Sequence, residues 1–303
     1  MTDGARPLPL KTVLKRYPHT EKLIAGEITD PRVRLDFVNV DPIYRAFAPM
    51  ARAQVYDVSE MAIVTYLQAR AFDKPLFLLP TVVASRMQQK CLVYNRKRRE
   101  MTLDDIVGKK VGVRAYSQTT GMWVRAILAA TYGIPTEQIR WVTFEEGHLA
   151  EYEDPPFVTR MPKGAQMLGM LRDGELDAAI FGNDLPKEEG IEPLIPNPAL
   201  ADKVWYEAHR FVPINHVVVM KRGAADAHPE SVAGVYQLLK QGKRAVAPEA
   251  GELPGALPDG IDSLRRPMEM ILAACDEQKL LPRALTVDEL FVDCLAFLGD
   301  EAG

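Results

Sequence analysis

Apolar positions along the chain fall into short continuous runs separated by stretches with helical spacing. The runs predict strands over 33–39, 56–59, 76–79, 90–94, 110–114, 139–142, 178–181 and 216–220, and the spacing predicts helices over 42–52, 60–71, 119–132, 164–172, 229–241 and 268–277. Alternation of the two element types predicts an α/β architecture. The clearest unit is "KKVGVRAYSQTTGMWVRAIL" (109–128): an apolar run, a hydroxyl-rich turn, then a helix. In that helix Val124, Ile127, Leu128 and Thr131 share one face, Gly133 is the expected stop and Pro135 lies just beyond. Two other stretches, "APMARAQVYDVSEM" (48–61) and "LGMLRDGELDAAIF" (168–181), share a plan of helix end, polar break, aspartate and short strand. Asp57 and Asp177 then occupy equivalent places. Two lobes built alike would explain this, as would chance likeness of two helix-to-strand turns. Irregular stretches are expected over 145–163, 185–198 and 247–260, where Glu, Pro and Gly collect.

A length of 303 residues suits two lobes or one large domain. Apolar residues make up 47% and charged residues 26%, and 41 acids against 37 bases leave a net charge of −4, which excludes the broad basic footprint of a nucleic-acid binder. The basic run "NRKRRE" (95–100) reads as a solvated face or a linker. Three widely spaced cysteines without a CxxC pair fit a reducing compartment rather than a disulfide framework. Neither zinc-type Cys–His spacing nor an HxxxH or HEXXH motif occurs, so neither a metal nor another cofactor is expected. The N-terminal stretch lacks an apolar run of signal-peptide length, and no segment approaches transmembrane length. With Met1 as the start, a cytoplasmic location without membrane association is expected.

The turn before the 119–132 helix concentrates candidate chemistry. A helix N-terminus offers unpaired N–H groups and a partial positive charge, so anions dock there. Ser117, Thr119 and Thr120 are placed either to cap the helix or to donate to a ligand. Arg114 stands at the carboxyl end of the preceding strand, where open α/β sheets take ligands. The arginine fork matches carboxylates in paired, charge-assisted hydrogen bonds. Arg114 and Arg86, the latter in "VASRMQQK", are the expected main clamps; Arg125, nearly two turns into the helix, is either a third or a solvated side chain. Tyr116, Trp123 and Phe181 either sandwich an aromatic ring or pack in the core. Glu60 follows a predicted strand and opens a predicted helix, where a carboxylate is stabilised as the anion; it is a candidate base or an anchor for ligand hydroxyls. His216 opens the apolar "HVVVM" run, and an ordinary pKa of about 6.5 suits it to proton donation near neutral pH. His19, in "RYPHTEKL", is a second histidine candidate.

Three phrases, "YDVSEMAIVTYL" (56–67), "VGVRAYSQTTGMWVRAIL" (111–128) and "PINHVVVMKR" (213–222), resemble the 4,5-dihydroxyphthalate decarboxylase family, a cytoplasmic branch of the type II periplasmic-binding-protein fold. "DIVGKKVGV" (105–113) and "LRDGELDAAI" (171–180) are similar to phrases found across that wider fold. The resemblance implies two α/β lobes with a ligand cleft between them, one built from 1–96 with 213–303 and the other from 97–212, and at family level a homodimer. It implies non-oxidative decarboxylation of a hydroxylated aromatic diacid, 4,5-dihydroxyphthalate, to 3,4-dihydroxybenzoate and carbon dioxide. The chemistry of the residues then casts Glu60 as base, His216 as acid and the arginines as clamps on a small aromatic dicarboxylate. A cytoplasmic binding or sensing protein for an aromatic carboxylate would use the same cleft without catalysis. Enzymes of the futalosine route to menaquinone share only the generic phrases, and the cysteine-rich signature of a thiamine-route pyrimidine synthase is absent.

Overall fold

The computed structural model describes residues 6–247 and 253–303. The chain divides into two compact units: Met1–Ser85 with Ile214–Leu272 and Pro282–Gly303, and Arg86–Pro213 with Ala273–Leu281. The first unit opens with β1 (Leu8–Val13), α1 (Pro18–Ile24), β2 (Val33–Phe37), α2 (Phe47–Ala53), β3 (Val58–Ala62), α3 (Ile63–Ala71) and β4 (Leu76–Ser85). The second contains β5 (Leu92–Asn95), β6 (Lys110–Val113), α4 (Thr119–Tyr132), β7 (Arg140–Thr143), β8 (Val158–Arg160), α5 (Met167–Asp173), β9 (Ala178–Ile180), β10 (Ile191–Pro193) and α6 (Pro198–His209). The chain then returns through β11 (Ile214–Lys221), α7 (Arg222–Ala227), α8 (Glu230–Arg244), α9 (Ile261–Glu277) and α10 (Val287–Leu298).

Each unit is built on one mostly parallel sheet. The first sheet has the order β2-β1-β3-β11-β4, in which β1 runs parallel to β2 and β3 while β11 is antiparallel to β3 and β4. The second has the order β10-β5-β9-β6-β7-β8, with β9, β6, β7 and β8 parallel and β5 antiparallel to both β9 and β10. The likeness of 48–61 to 168–181 has a structural counterpart. Asp57 Oδ2 accepts the backbone N–H of Lys11 on β1 at 2.9 Å, and Asp177 Oδ2 accepts that of Lys110 on β6 at 2.9 Å. The return bonds match as well, Asp57 N–H to the Lys11 carbonyl at 2.8 Å and Asp177 N–H to the Lys110 carbonyl at 2.9 Å. In each unit an aspartate therefore fixes the register at which the central parallel strand enters its sheet.

The boundaries of several elements differ from the sequence expectation, and in each case pairing decides. Glu60 does not open a helix. β3 continues to Ala62, because Glu60, Met61 and Ala62 lie opposite Val218, Val217 and His216 of β11, and their backbone groups belong to that ladder. β4 continues well past residue 79, since β11 pairs along it as far as Ser85. On its other side the Val82 N–H donates to the Pro258 carbonyl, and the Pro80 carbonyl accepts from Gly260 N–H. The first crossing between units falls before Arg86 rather than at residue 96, because β5 pairs with β9 and β10. Residues 273–281, expected with the first unit, belong to the second, where Gln278 bonds Arg125 and the Met122 carbonyl. The expected 145–163 and 185–198 irregular stretches contain the short strands β8 and β10. Of the 247–260 stretch, residues 248–252 lie outside the described residues. α4 spans 119–132 as its periodicity predicts, and Gly133 closes it in the left-handed region (φ 67°), donating to the Ala129 and Leu128 carbonyls.

Candidate functional site

The first unit gathers a carboxylate, an imidazole and a phenol. β3 is buried at every position, and Glu60 at its centre has no exposed surface. A carboxylate there persists only if its hydrogen bonds are made. Its Oε2 accepts the Lys15 backbone N–H at 2.8 Å, and its Oε1 accepts the Tyr17 hydroxyl at 2.7 Å and His216 Nδ1 at 2.6 Å. His216 reaches Glu60 because both side chains rise from the same face of the β3–β11 pair, diagonally across the ladder. The β4–β11 register shifts on either side of His216, an irregularity of the kind that re-aims a side chain. The imidazole edge packs against Phe47 of α2 at 5.1 Å between ring centroids, and 22% of the side chain is exposed. Burial alone would push the Glu60 carboxyl up. The hydrogen bond and charge of His216, with the Lys15 N–H and the Tyr17 hydroxyl, outweigh burial and hold it below its ordinary value.

The turn between β1 and α1 is itself fixed. Buried Thr20 donates to the Lys15 carbonyl at 2.7 Å and accepts the Tyr17 N–H at 2.8 Å. Pro18 occupies the first position of α1, where its missing N–H costs nothing. His19 lies in the first turn of α1, and its ring stacks on Tyr17 at 5.1 Å with planes 7° apart. Helix α8 approaches this turn so closely that a Cβ on Gly242 would overlap the His19 carbonyl.

The second unit gathers donors around the start of α4. Gln118 is the N-cap residue, and its side chain makes no capping hydrogen bond. Ser117, Thr119 and Thr120 are all buried there. Arg86, half-buried, donates through Nη2 to Thr120 Oγ1 at 2.5 Å and through Nη1 to Asn183 Oδ1. Gly182 lies within this group: a Cβ there would be 3.9 Å from both Arg86 Nη2 and Gln118 Nε2, and 3.4 Å from Asp184 Oδ1. Arg86, Gln118, Thr120 and Asn183 thus converge on the α4 terminus, where backbone N–H groups point outward. Arg114 lies one residue beyond the end of β6 at Val113, with its Nε 3.6 Å from Glu145 Oε2.

Four other candidates are placed in the interior of the second unit. Arg125 is not solvated: it is 1% exposed, donates to Gln278 Oε1 at 2.6 Å and to the Tyr116 carbonyl at 2.7 Å, lies 4.0 Å from the Tyr116 ring centroid, and places Nη1 3.1 Å from where a Cβ on Gly121 would sit, in the first turn of α4. Its burial pushes the guanidinium pKa down, against the opposing pull of Tyr116, Tyr152, Cys275 and Asp154. Tyr116 is fully buried, its hydroxyl donating to the Gln278 carbonyl. Trp123 is fully buried too, packed edge-on against Trp205 and tilted against Phe211. Phe181 belongs to an apolar cluster with Val93, Val142 and Leu171. All four pack the unit rather than line an open surface. Sequence reasoning missed Tyr17, Gln118 and Asn183 as site residues. The Tyr-Pro step ahead of α1 was a usable signal for the first, since it marks the residue facing back from a helix start.

Among the described residues no group of three or more His, Cys, Asp or Glu side chains gathers as a metal site, and no helix is long and apolar enough to cross a membrane.

The fold is that of the type II periplasmic-binding-protein class. The alkanesulfonate-binding protein SsuA from Xanthomonas axonopodis pv. citri, solved with bound MOPS, matches with a TM-score of 0.61 over 94% of this chain and 98% of its own, at 15% identity. Within that class the chain is similar to two 4,5-dihydroxyphthalate decarboxylases. It is 28% identical over 246 residues to the Comamonas testosteroni protein, spanning 73% of this chain and 71% of that one. It is 29% identical over 219 residues to the Pseudomonas putida protein, spanning 66% and 82%. No family model matches the chain. The family resemblance drawn from the sequence holds.

Proposed function

We propose that the protein is a carboxy-lyase that decarboxylates a hydroxylated aromatic diacid, with 4,5-dihydroxyphthalate as substrate and 3,4-dihydroxybenzoate and carbon dioxide as products. The observation that carries this reading is the Glu60–His216 pair. A partly exposed imidazole whose Nδ1 is bound to a buried carboxylate at 2.6 Å is held in place by that bond and has its Nε2 left for proton transfer. The similarity to the two decarboxylases selects the reaction.

In 4,5-dihydroxyphthalate each carboxylate is para to a hydroxyl. Loss of that hydroxyl proton to solvent makes the ring carbon bearing the carboxylate nucleophilic. The His216 imidazolium delivers a proton to that carbon, giving a cyclohexadienone. The bond to the carboxylate then breaks, its electrons return to the ring as carbon dioxide leaves, and phenolate and imidazole each regain a proton from solvent. One proton is consumed per turnover. Glu60 enters not as the base of the earlier expectation but as the anion that orients His216, since it has no exposed surface and both its oxygens accept hydrogen bonds. General acid catalysis of this kind contributes about 10²–10⁴-fold. Arg86, Thr120 and the N-terminus of α4 form the carboxylate-holding set, with Arg114 as a second cation. A cytoplasmic location accompanies this reading, supported by three buried free cysteines.

A protein that only binds an aromatic carboxylate needs a donor set such as that at α4 but has no use for a buried carboxylate–imidazole pair, which favours the catalytic reading. Incubation of the purified protein with 4,5-dihydroxyphthalate, following carbon dioxide and 3,4-dihydroxybenzoate together, tests it. Stoichiometric release of both is expected; saturable binding with neither product would establish the binding protein instead.

A further inference from the structure

The Glu60 carboxylate serves two donors through one oxygen. Tyr17 Oη and His216 Nδ1 both bond Oε1, at 2.7 and 2.6 Å, while Oε2 is occupied by the Lys15 N–H. We propose that Tyr17 is a positioning residue that sets the proton affinity of His216 by competing with it for the charge on Glu60. The inference rests on the proposed role of His216 and extends it to a residue in the β1–α1 turn.

The physical argument is one of shared charge. A hydrogen bond from the phenol draws electron density from Oε1, so less remains to stabilise an imidazolium at Nδ1. Enclosure of Glu60 in protein strengthens this coupling, because no water competes for the same oxygen. Several contacts hold Tyr17 to the task. Its backbone is tied to Thr20, its ring is stacked on His19, and α8 presses on the same turn at Gly242. The titratable groups around the pair are Glu60 from β3 and Lys15, Tyr17 and His19 from the turn, with Lys15 Nζ 5.2 Å from the Tyr17 ring centroid. α2 presents Phe47, and the β4 residue opposite His216 is Ala84; neither titrates. Tyr17 is thus the neighbour that shares an acceptor with His216.

The test is an NMR titration of the His216 imidazole in the free protein, assigned by its loss in a His216→Asn variant. In Tyr17→Phe, which keeps the ring and its stacking, the midpoint is expected to move to higher pH by about half a unit. With 3-fluorotyrosine at position 17, a more acidic phenol of nearly the same size, it is expected to move the other way. Opposed shifts of this kind are not produced by a residue that merely packs. An unmoved midpoint in both proteins, or a shift in the same direction in both, would overturn the proposal. If Tyr17→Phe folds poorly, the fluorotyrosine protein decides alone: a downward shift supports the proposal and an unmoved or raised midpoint overturns it. No turnover is needed for the titration, so failure to release carbon dioxide would count against the decarboxylase reading and leave this result intact.

Discussion

The two units share a frame and differ at one telling position. In both, an aspartate three residues before the comparison point fixes a parallel strand against its neighbour, Asp57 on Lys11 and Asp177 on Lys110. Three residues on, the first unit has Glu60 and the second has Ile180, at 0% and 1% exposure respectively. Both face an antiparallel strand, Glu60 opposite Val218 and Ile180 opposite Leu92. Isoleucine is what a buried strand position ordinarily carries. A carboxylate in the same place has to be surrounded by donors, and the first unit supplies three while the second supplies none because none is needed. Glu60 therefore stands out less by its own type than by its departure from the counterpart position. The second unit has its own distinctive feature at the start of α4, where the Arg86 guanidinium donates to Thr120.

Exchange of the two positions breaks the comparison most severely. Ile180→Glu places a carboxylate among apolar neighbours without partners, and unfolding in urea is expected to show a loss of about 3–5 kcal/mol. A protein as stable as the wild type would mean that the buried β9 site tolerates charge and that Glu60 is less unusual than argued. Arg86→Met comes next. It removes the paired donor from the α4 terminus, and KM for the diacid is expected to rise about 10–100-fold with kcat less affected. A fall in kcat at constant KM would move Arg86 from holding the substrate to the chemistry. The smallest effect concerns acid stability. Because the Glu60 carboxyl titrates below its ordinary 4.5, it stabilises the fold above about that pH, and the contribution is lost as pH falls through the folded value. Glu60→Gln is expected to flatten the decline of melting temperature on acidification below pH 4.5 relative to the wild type. An unchanged slope would show that other carboxylates govern it.

Local signals in the sequence reached some of this architecture and stopped where long-range contacts took over. α4 was legible because its periodicity, its length and Gly133 agree. His216, which opens an apolar run in the sequence, is the third residue of β11, which begins at Ile214 because Ile214 already pairs with Ser85 of β4. The state of Glu60 was not legible, since "SEMAIVTYL" serves equally as strand or helix until pairing with β11 settles it. Nor could the sequence separate Arg86 from Arg125. The second is buried by Gln278, 153 positions along the chain, and the first is turned toward Thr120, 34 positions along. Tyr17 was missed for the same reason, as its acceptor lies 43 residues away. α6 was hidden behind a proline-rich stretch, although Asn197 followed by Pro198 is a helix start in its own right.

The most direct measurement pairs calorimetric binding with turnover for a His216→Asn protein supplied with 4,5-dihydroxyphthalate. Binding close to that of the wild type, with kcat lower by about 10²–10⁴-fold, is the expected result. Undiminished release of carbon dioxide by that variant would contradict the assignment of His216, held by Glu60, as the proton donor.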